Sequence, residues 1–145
     1  MTLPGKSVFG ALLAVGLLGA VAEPACAQRS MMFSGTFAAE HNAPAGVQGR
    51  VVALYYSGAH VLRYTVTWSG LSGPITIAHL HGPALPGKDG PPMATVRGPY
   101  KSPLSGGVML SAEQEQDLLA GRVYLNLHTK DYPNGEARAW LVKGE

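Results

Sequence analysis

Turn residues cut this chain into short runs whose apolar side chains recur at every second position, and few folds accommodate that pattern. Residues 60–68 show it most clearly. His60, Leu62, Tyr64, Val66 and Trp68 fall on one face, with Arg63, Thr65 and Thr67 on the other. This is the period of a half-buried strand. Residues 48–56 alternate Val51, Ala53 and Tyr55 against Val52, Leu54 and Tyr56, and Ser57-Gly58 turns the chain between the two runs. Residues 33–39, 75–81, 93–96, 107–110, 122–129 and 137–142 are further candidates, punctuated by many of the 19 glycines and 11 prolines. The pattern predicts an all-β domain, an antiparallel β-sandwich or Greek-key barrel of about seven or eight strands. One short helix is expected from Ser111: Ser111 as N-cap with Gln114 at the third helical position forms a capping box, and Gly121 ends the element.

The first residues read differently. Lys6 precedes an uncharged apolar run over residues 8–22, and Ala25-Cys26-Ala27 supplies the small-x-small pattern that a signal peptidase needs. The run falls short of the ~20 residues of a spanning helix. The expectation is a signal peptide over residues 1–27, cut after Ala27, with residues 28–145 forming one β domain in the periplasm or secreted medium. Glu23 stands three positions before Cys26, where a lipid-bearing cysteine would be preceded by Leu, so lipidation is not expected. No membrane insertion is expected after cleavage.

Cys26 is the single cysteine and would leave with the signal. Disulfides, thiolate metal sites and cysteine nucleophiles are thereby excluded from the remaining domain. The charge is close to balanced, with 11 Lys+Arg against 9 Asp+Glu, and the basic residues are scattered. Neither a nucleic acid nor an anionic membrane surface is the expected partner. No nucleophile elbow, Walker loop or dinucleotide fingerprint is present, so hydrolytic or nucleotide chemistry has no motif behind it.

Three segments together resemble one family. Ala78-His79-Leu80-His81-Gly82-Pro83-Ala84 is similar to the first signature of the CHRD domain, named after chordin. Leu118-Leu119-Ala120-Gly121 with Tyr124-Leu125-Asn126-Leu127-His128-Thr129 resembles its second signature, and Tyr132-Pro133-Asn134-Gly135-Glu136-Ala137-Arg138 its third. Asn134 replaces the usual first glycine of that third pattern, and Ala137 a β-branched residue. The resemblance implies an all-β extracellular or periplasmic domain and says little about activity.

The histidines carry the chemistry. His79 and His81 share a face by strand period, with Ala78 and Leu80 on the other. In the later run Val123, Leu125 and Leu127 form the apolar stripe, which leaves Tyr124, Asn126 and His128 opposite. Neighbouring strands would thus gather three imidazoles on one outward polar surface, with the loop after His81 positioned to shield them. Three imidazoles and one open position suit copper, with zinc as the alternative. The use of such a site would be metal handling or copper redox chemistry.

His41, in a loop, and His60, on the apolar face at the head of a strand, are further candidate ligands. Asp131, Glu136 and Arg138 are candidates for the shell around the ligands: Asp131 or Glu136 as acceptors from a ligating histidine, and Arg138 as a guide for an anion. For Glu136 and Arg138 the favoured reading is structural, as a pair or as hydrogen-bonding groups that fix the last hairpin. The alternative function is a non-metal module whose sheet face or loops bind an extracytoplasmic protein or a glycan.

Overall fold

The computed structural model describes residues 30–144; the expected signal peptide and its cleavage site lie outside the described residues. The strands are β1 (Ser30–Thr36), β2 (Ala38–Ala39), β3 (Gln48–Tyr56), β4 (Val61–Ser69), β5 (Ile75–His81), β6 (Pro92–Val96) and β7 (Leu104–Met109). The helix α1 (Ala112–Leu119) follows, then β8 (Tyr124–Thr129), β9 (Ala137–Trp140) and β10 (Val142–Lys143). They form two five-stranded antiparallel sheets, one ordered β10-β1-β3-β4-β7 and the other β2-β9-β8-β5-β6. The fold is therefore the expected all-β sandwich with one short helix. That helix has the expected capping box: Gln114 N donates to the Ser111 hydroxyl, and the Gln114 side chain accepts from Ser111 N.

The eight runs legible in the sequence become ten strands because the first and last each divide. Residues 33–39 split into β1 and β2, and residues 137–142 into β9 and β10, with the two halves of each in different sheets. The chain changes sheet where β1 passes β9. A Cβ on Gly35 would stand 2.1 Å from the Trp140 carbonyl oxygen, so glycine alone permits that approach. His60 also departs from expectation. It lies in the turn before Val61 with φ of 53° and is exposed, rather than on the apolar face of the strand.

The core sits between the sheets and follows the alternation. Phe33, Val51, Ala53, Tyr55, Leu62, Tyr64 and Val66 from one sheet meet Ala78, Leu80, Leu125, Leu127, Ala137 and Ala139 from the other. Each fully buried large aliphatic or aromatic side chain contributes roughly 1.5–3 kcal/mol. With Ala78 and Leu80 drawn inward, His79 and His81 are forced onto the outer face of the second sheet. There the outer face is covered by more than the loop after His81. All six residues of β8 are buried, including Tyr124, Asn126 and His128 on the outer side. Glu40, Gly90 of the 82–91 loop and Pro133 bond to this face and make it a small polar core. Among the described residues no helix is long and apolar enough to cross a membrane.

Candidate metal centre

Strand register sets out the site. On β5 and β8, His79 pairs with Asn126, His81 with Tyr124, and Ile77 with His128. His128 therefore lies diagonally beside His79, within reach of an imidazole. One ligand atom from each of His79, His81 and His128 lies within 4.8 Å of the others. His79 Nδ1 and His128 Nε2 are 3.4 Å apart. Two nitrogens held at ~2.0–2.1 Å by one tetrahedral ion are themselves ~3.4 Å apart. That pair already has the spacing an ion would impose.

Backbone carbonyls fix which nitrogens are free. His81 Nδ1–H donates to Gly90 O at 2.8 Å, and His128 Nδ1–H donates to Pro133 O at 2.9 Å. Each bond fixes the tautomer and leaves the Nε2 lone pair available. His81 Nε2 is buried and has no hydrogen-bond partner among the described residues. A buried acceptor left bare costs free energy, so this atom fits a metal better than it fits an empty protein interior. Burial lowers the His79 pKa, reinforced by the neighbouring His128 and His81. Burial also lowers the His81 pKa, against the opposing hydrogen bond to Gly90. Both rings are thus neutral at neutral pH, the form that binds metal.

The covering loop is tied down by Tyr124 and Arg138. The Tyr124 ring stacks on His81 with centroids 5.1 Å apart and planes 12° apart, and its hydroxyl accepts from Gly90 N at 3.1 Å. The Arg138 guanidinium lies over the same ring, 4.2 Å from its centroid. Its Nε donates to Glu40, its Nη1 to Lys88 O at 2.9 Å, and its Nη2 to Asp89. With every nitrogen engaged, Arg138 acts here as a clamp between loops rather than as a docking point for an anion.

The remaining candidates are placed elsewhere. His41 forms a separate group with Glu40 and Asp89; its Nδ1 donates to Gly135 O at 3.0 Å, and its Nε2 lies 3.4 Å from Asp89. His60 is beside the first sheet, with its Nδ1 3.2 Å from Glu115 Oε2. Asp131 is exposed, and Pro133 O takes the place beside His128 Nδ1 that an acid was expected to fill. Glu136 accepts from Ser72 N at 2.6 Å, from the Ser72 hydroxyl at 2.7 Å and from the Thr129 hydroxyl, not from a histidine. It also does not pair with Arg138. Sequence reasoning missed Gly90, Pro133 and Glu40. Backbone carbonyls carry no side-chain signature, although Tyr124 was legible by its parity with the histidines.

Burial opposes ionisation of Glu136, but the hydrogen bonds from Thr129 and Ser72 prevail and hold its carboxyl below the usual range. A depressed carboxyl stabilises the fold at pH above its unfolded value, and that contribution is lost as pH falls through the folded one. Glu136→Gln is expected to cost about 2 kcal/mol at neutral pH, because an amide cannot accept from all three donors. The penalty should shrink in acid, where the wild type loses the same charge. Urea midpoints at neutral and acidic pH measure both effects; an unchanged neutral midpoint would refute the prediction.

A family model described as the CHRD domain matches residues 31–140. No curated protein and no solved structure matches the chain.

Proposed function

The chain belongs to the CHRD domain family, and from that premise we propose that it is an exported domain that binds a transition metal, copper first, through His79, His81 and His128. The observation that carries this reading is the buried His81 Nε2, which has no partner among the described residues, in a cluster where one nitrogen from each of His79, His81 and His128 lies within 4.8 Å of the others. Three imidazoles with no thiolate or carboxylate among them favour copper(II), which binds nitrogen sites most tightly of the first-row divalent ions. Zinc is the alternative, since three histidines and one open position also satisfy it. The bound ion would supply a Lewis-acidic or redox centre. The protein's part is to hold two rings by Gly90 O and Pro133 O and to cover the site with the 82–91 loop. Export follows from the signal peptide read over residues 1–27, with residues 28–145 as the working domain. The mass of secreted protein beginning at Gln28 checks that point.

The test is titration of the purified protein with copper(II) and with zinc(II) at several pH values. One equivalent of copper should bind, more tightly than zinc. Affinity should hold near neutral pH and fall as acid protonates the ligands, each of which must be neutral to bind. The lowered values of His79 and His81 mean that these two ligands resist protonation to a more acid pH than an ordinary imidazole. Absence of binding by either metal at neutral pH would overturn the proposal.

A further inference from the structure

The three imidazoles are not held alike. His81 Nδ1 donates to Gly90 O, its ring stacks on Tyr124, and its Nε2 is buried. His128 is buried, and its Nδ1 donates to Pro133 O. No backbone group holds the His79 ring. It is half-buried, and among the described residues its one hydrogen-bond contact runs from Nδ1 to His128 Nε2, at 3.4 Å.

That contact admits one proton arrangement. The His128 hydrogen is on Nδ1, where Pro133 O accepts it, so His128 Nε2 presents a lone pair. A nitrogen facing that lone pair bonds to it only by donating. His79 Nδ1 therefore carries the hydrogen in the metal-free protein, and its own lone pair is on Nε2. His79 Nε2 has no partner among the described residues, and unlike His81 Nε2 it is not shut away from solvent.

The His79 hydrogen lies between two nitrogens spaced as one ion would hold them. Ligation by His79 Nδ1 requires that hydrogen to leave, because a ligand nitrogen must be bare. His81 and His128 need no such change, since each already offers Nε2. Position in the sheet agrees with this difference. His79 pairs with Asn126 on β8 and with Thr95 on β6, the edge strand of its sheet. Thr95 is exposed, whereas Glu40 and Pro133 cover the β8 side. His79 is thus the ligand on the open flank.

We infer that His79 is the gate of the site: His81 and His128 receive the ion first, and His79 closes on it last by shifting its proton from Nδ1 to Nε2. The inference rests on the proposed metal binding. Its proton balance closes. The Nδ1–H bond breaks and gives its proton to water, Nε2 takes a proton from water, and the freed Nδ1 lone pair forms the bond to the ion. Release runs in reverse, and an acceptor for the ion enters on the same flank, where its own nitrogen or oxygen donor replaces His79.

Long-range proton–nitrogen NMR of the imidazole rings tests the proton placement. In the metal-free protein at neutral pH, His79, His81 and His128 should all carry the hydrogen on Nδ1. Saturation with zinc(II), used because it is diamagnetic, should move the His79 hydrogen to Nε2 and leave the other two in place. A metal-free His79 with its hydrogen on Nε2 overturns the inference, and so does a metal-loaded His79 that keeps it on Nδ1. Stopped-flow mixing with copper(II) tests the order. The loss of affinity in His79→Ala, roughly a hundredfold or more, should appear in dissociation with association unchanged, whereas His128→Ala should associate more slowly. Equal slowing of association in both variants overturns the gate. A wild type that binds metal yet fails any of these tests overturns the gate alone; a wild type that binds neither metal overturns the metal reading beneath it, and the gate falls with it.

Discussion

His128→Ala is expected to weaken copper(II) binding by more than about a hundredfold. Removing a group that only orients a ligand typically costs 10- to 100-fold in affinity, and His128 would be a ligand itself. Its position makes it central: Nε2 lies 3.4 Å from His79 Nδ1, and its ring centroid lies 5.3 Å from that of His79 and 5.9 Å from that of His81. His79→Ala and His81→Ala should show losses of the same order, because two imidazoles cannot close a three-nitrogen site. His60→Ala should leave affinity unchanged, since that ring sits beside Glu115 and Tyr55. Competition titration against a chelator of known affinity measures all four variants. Equal affinity in His128→Ala and wild type would remove the site, and an equal loss in His60→Ala would show that binding is diffuse.

Arg138→Ala should have the largest effect on stability, a loss of about 3 kcal/mol. The Arg138 side chain is 12% exposed and that of Glu40 8%, so the substitution strands a buried carboxylate. Breaking one partner of a buried pair costs roughly 3–5 kcal/mol. Asp89 is 66% exposed, and losing its contact adds little. Asn126 Nδ2 still donates to Glu40 and softens the loss, which places the estimate at the lower end of that range. Arg138→Lys should not restore stability. The guanidinium reaches Glu40, Lys88 O and Asp89 in three directions at once, whereas an ammonium is a point charge. Because Lys88 and Asp89 belong to the loop that bonds His81 through Gly90, metal affinity should fall as well, by about tenfold. Urea unfolding with chelator present gives the first quantity and metal competition the second. An unchanged urea midpoint would refute the clamp.

The sequence by itself determined everything that depends on local parity. Period-two alternation fixed the inward faces of β3 and β4, and with them the core positions Val51, Ala53, Leu62, Tyr64 and Val66. It also turned His79 and His81 to the same side of β5, and His128 to the side of β8 that carries Tyr124 and Asn126. The Ser111 to Gln114 capping box located α1, because capping is a contact within four residues. The relation of β5 to β8 was not local. Their pairing, with His79 opposite Asn126, joins strands far apart in the chain within the second sheet, and only then do three imidazoles from distant parts of the chain meet. The burial of the outer face of β8 was hidden for the same reason: parity says which side a residue takes, not what covers it. The loops over that face are held by Gly90 O, Pro133 O and the Arg138 clamp, and two of those three are backbone atoms that every residue possesses. The division of the first and last strands between sheets brings Gly35 against Trp140 O, an approach that side-chain parity does not reveal. His60 left its predicted strand because its backbone turned to a φ of 53° before Val61. Side-chain pattern is written residue by residue, whereas long-range pairing and backbone hydrogen bonding are settled only when the whole chain has packed.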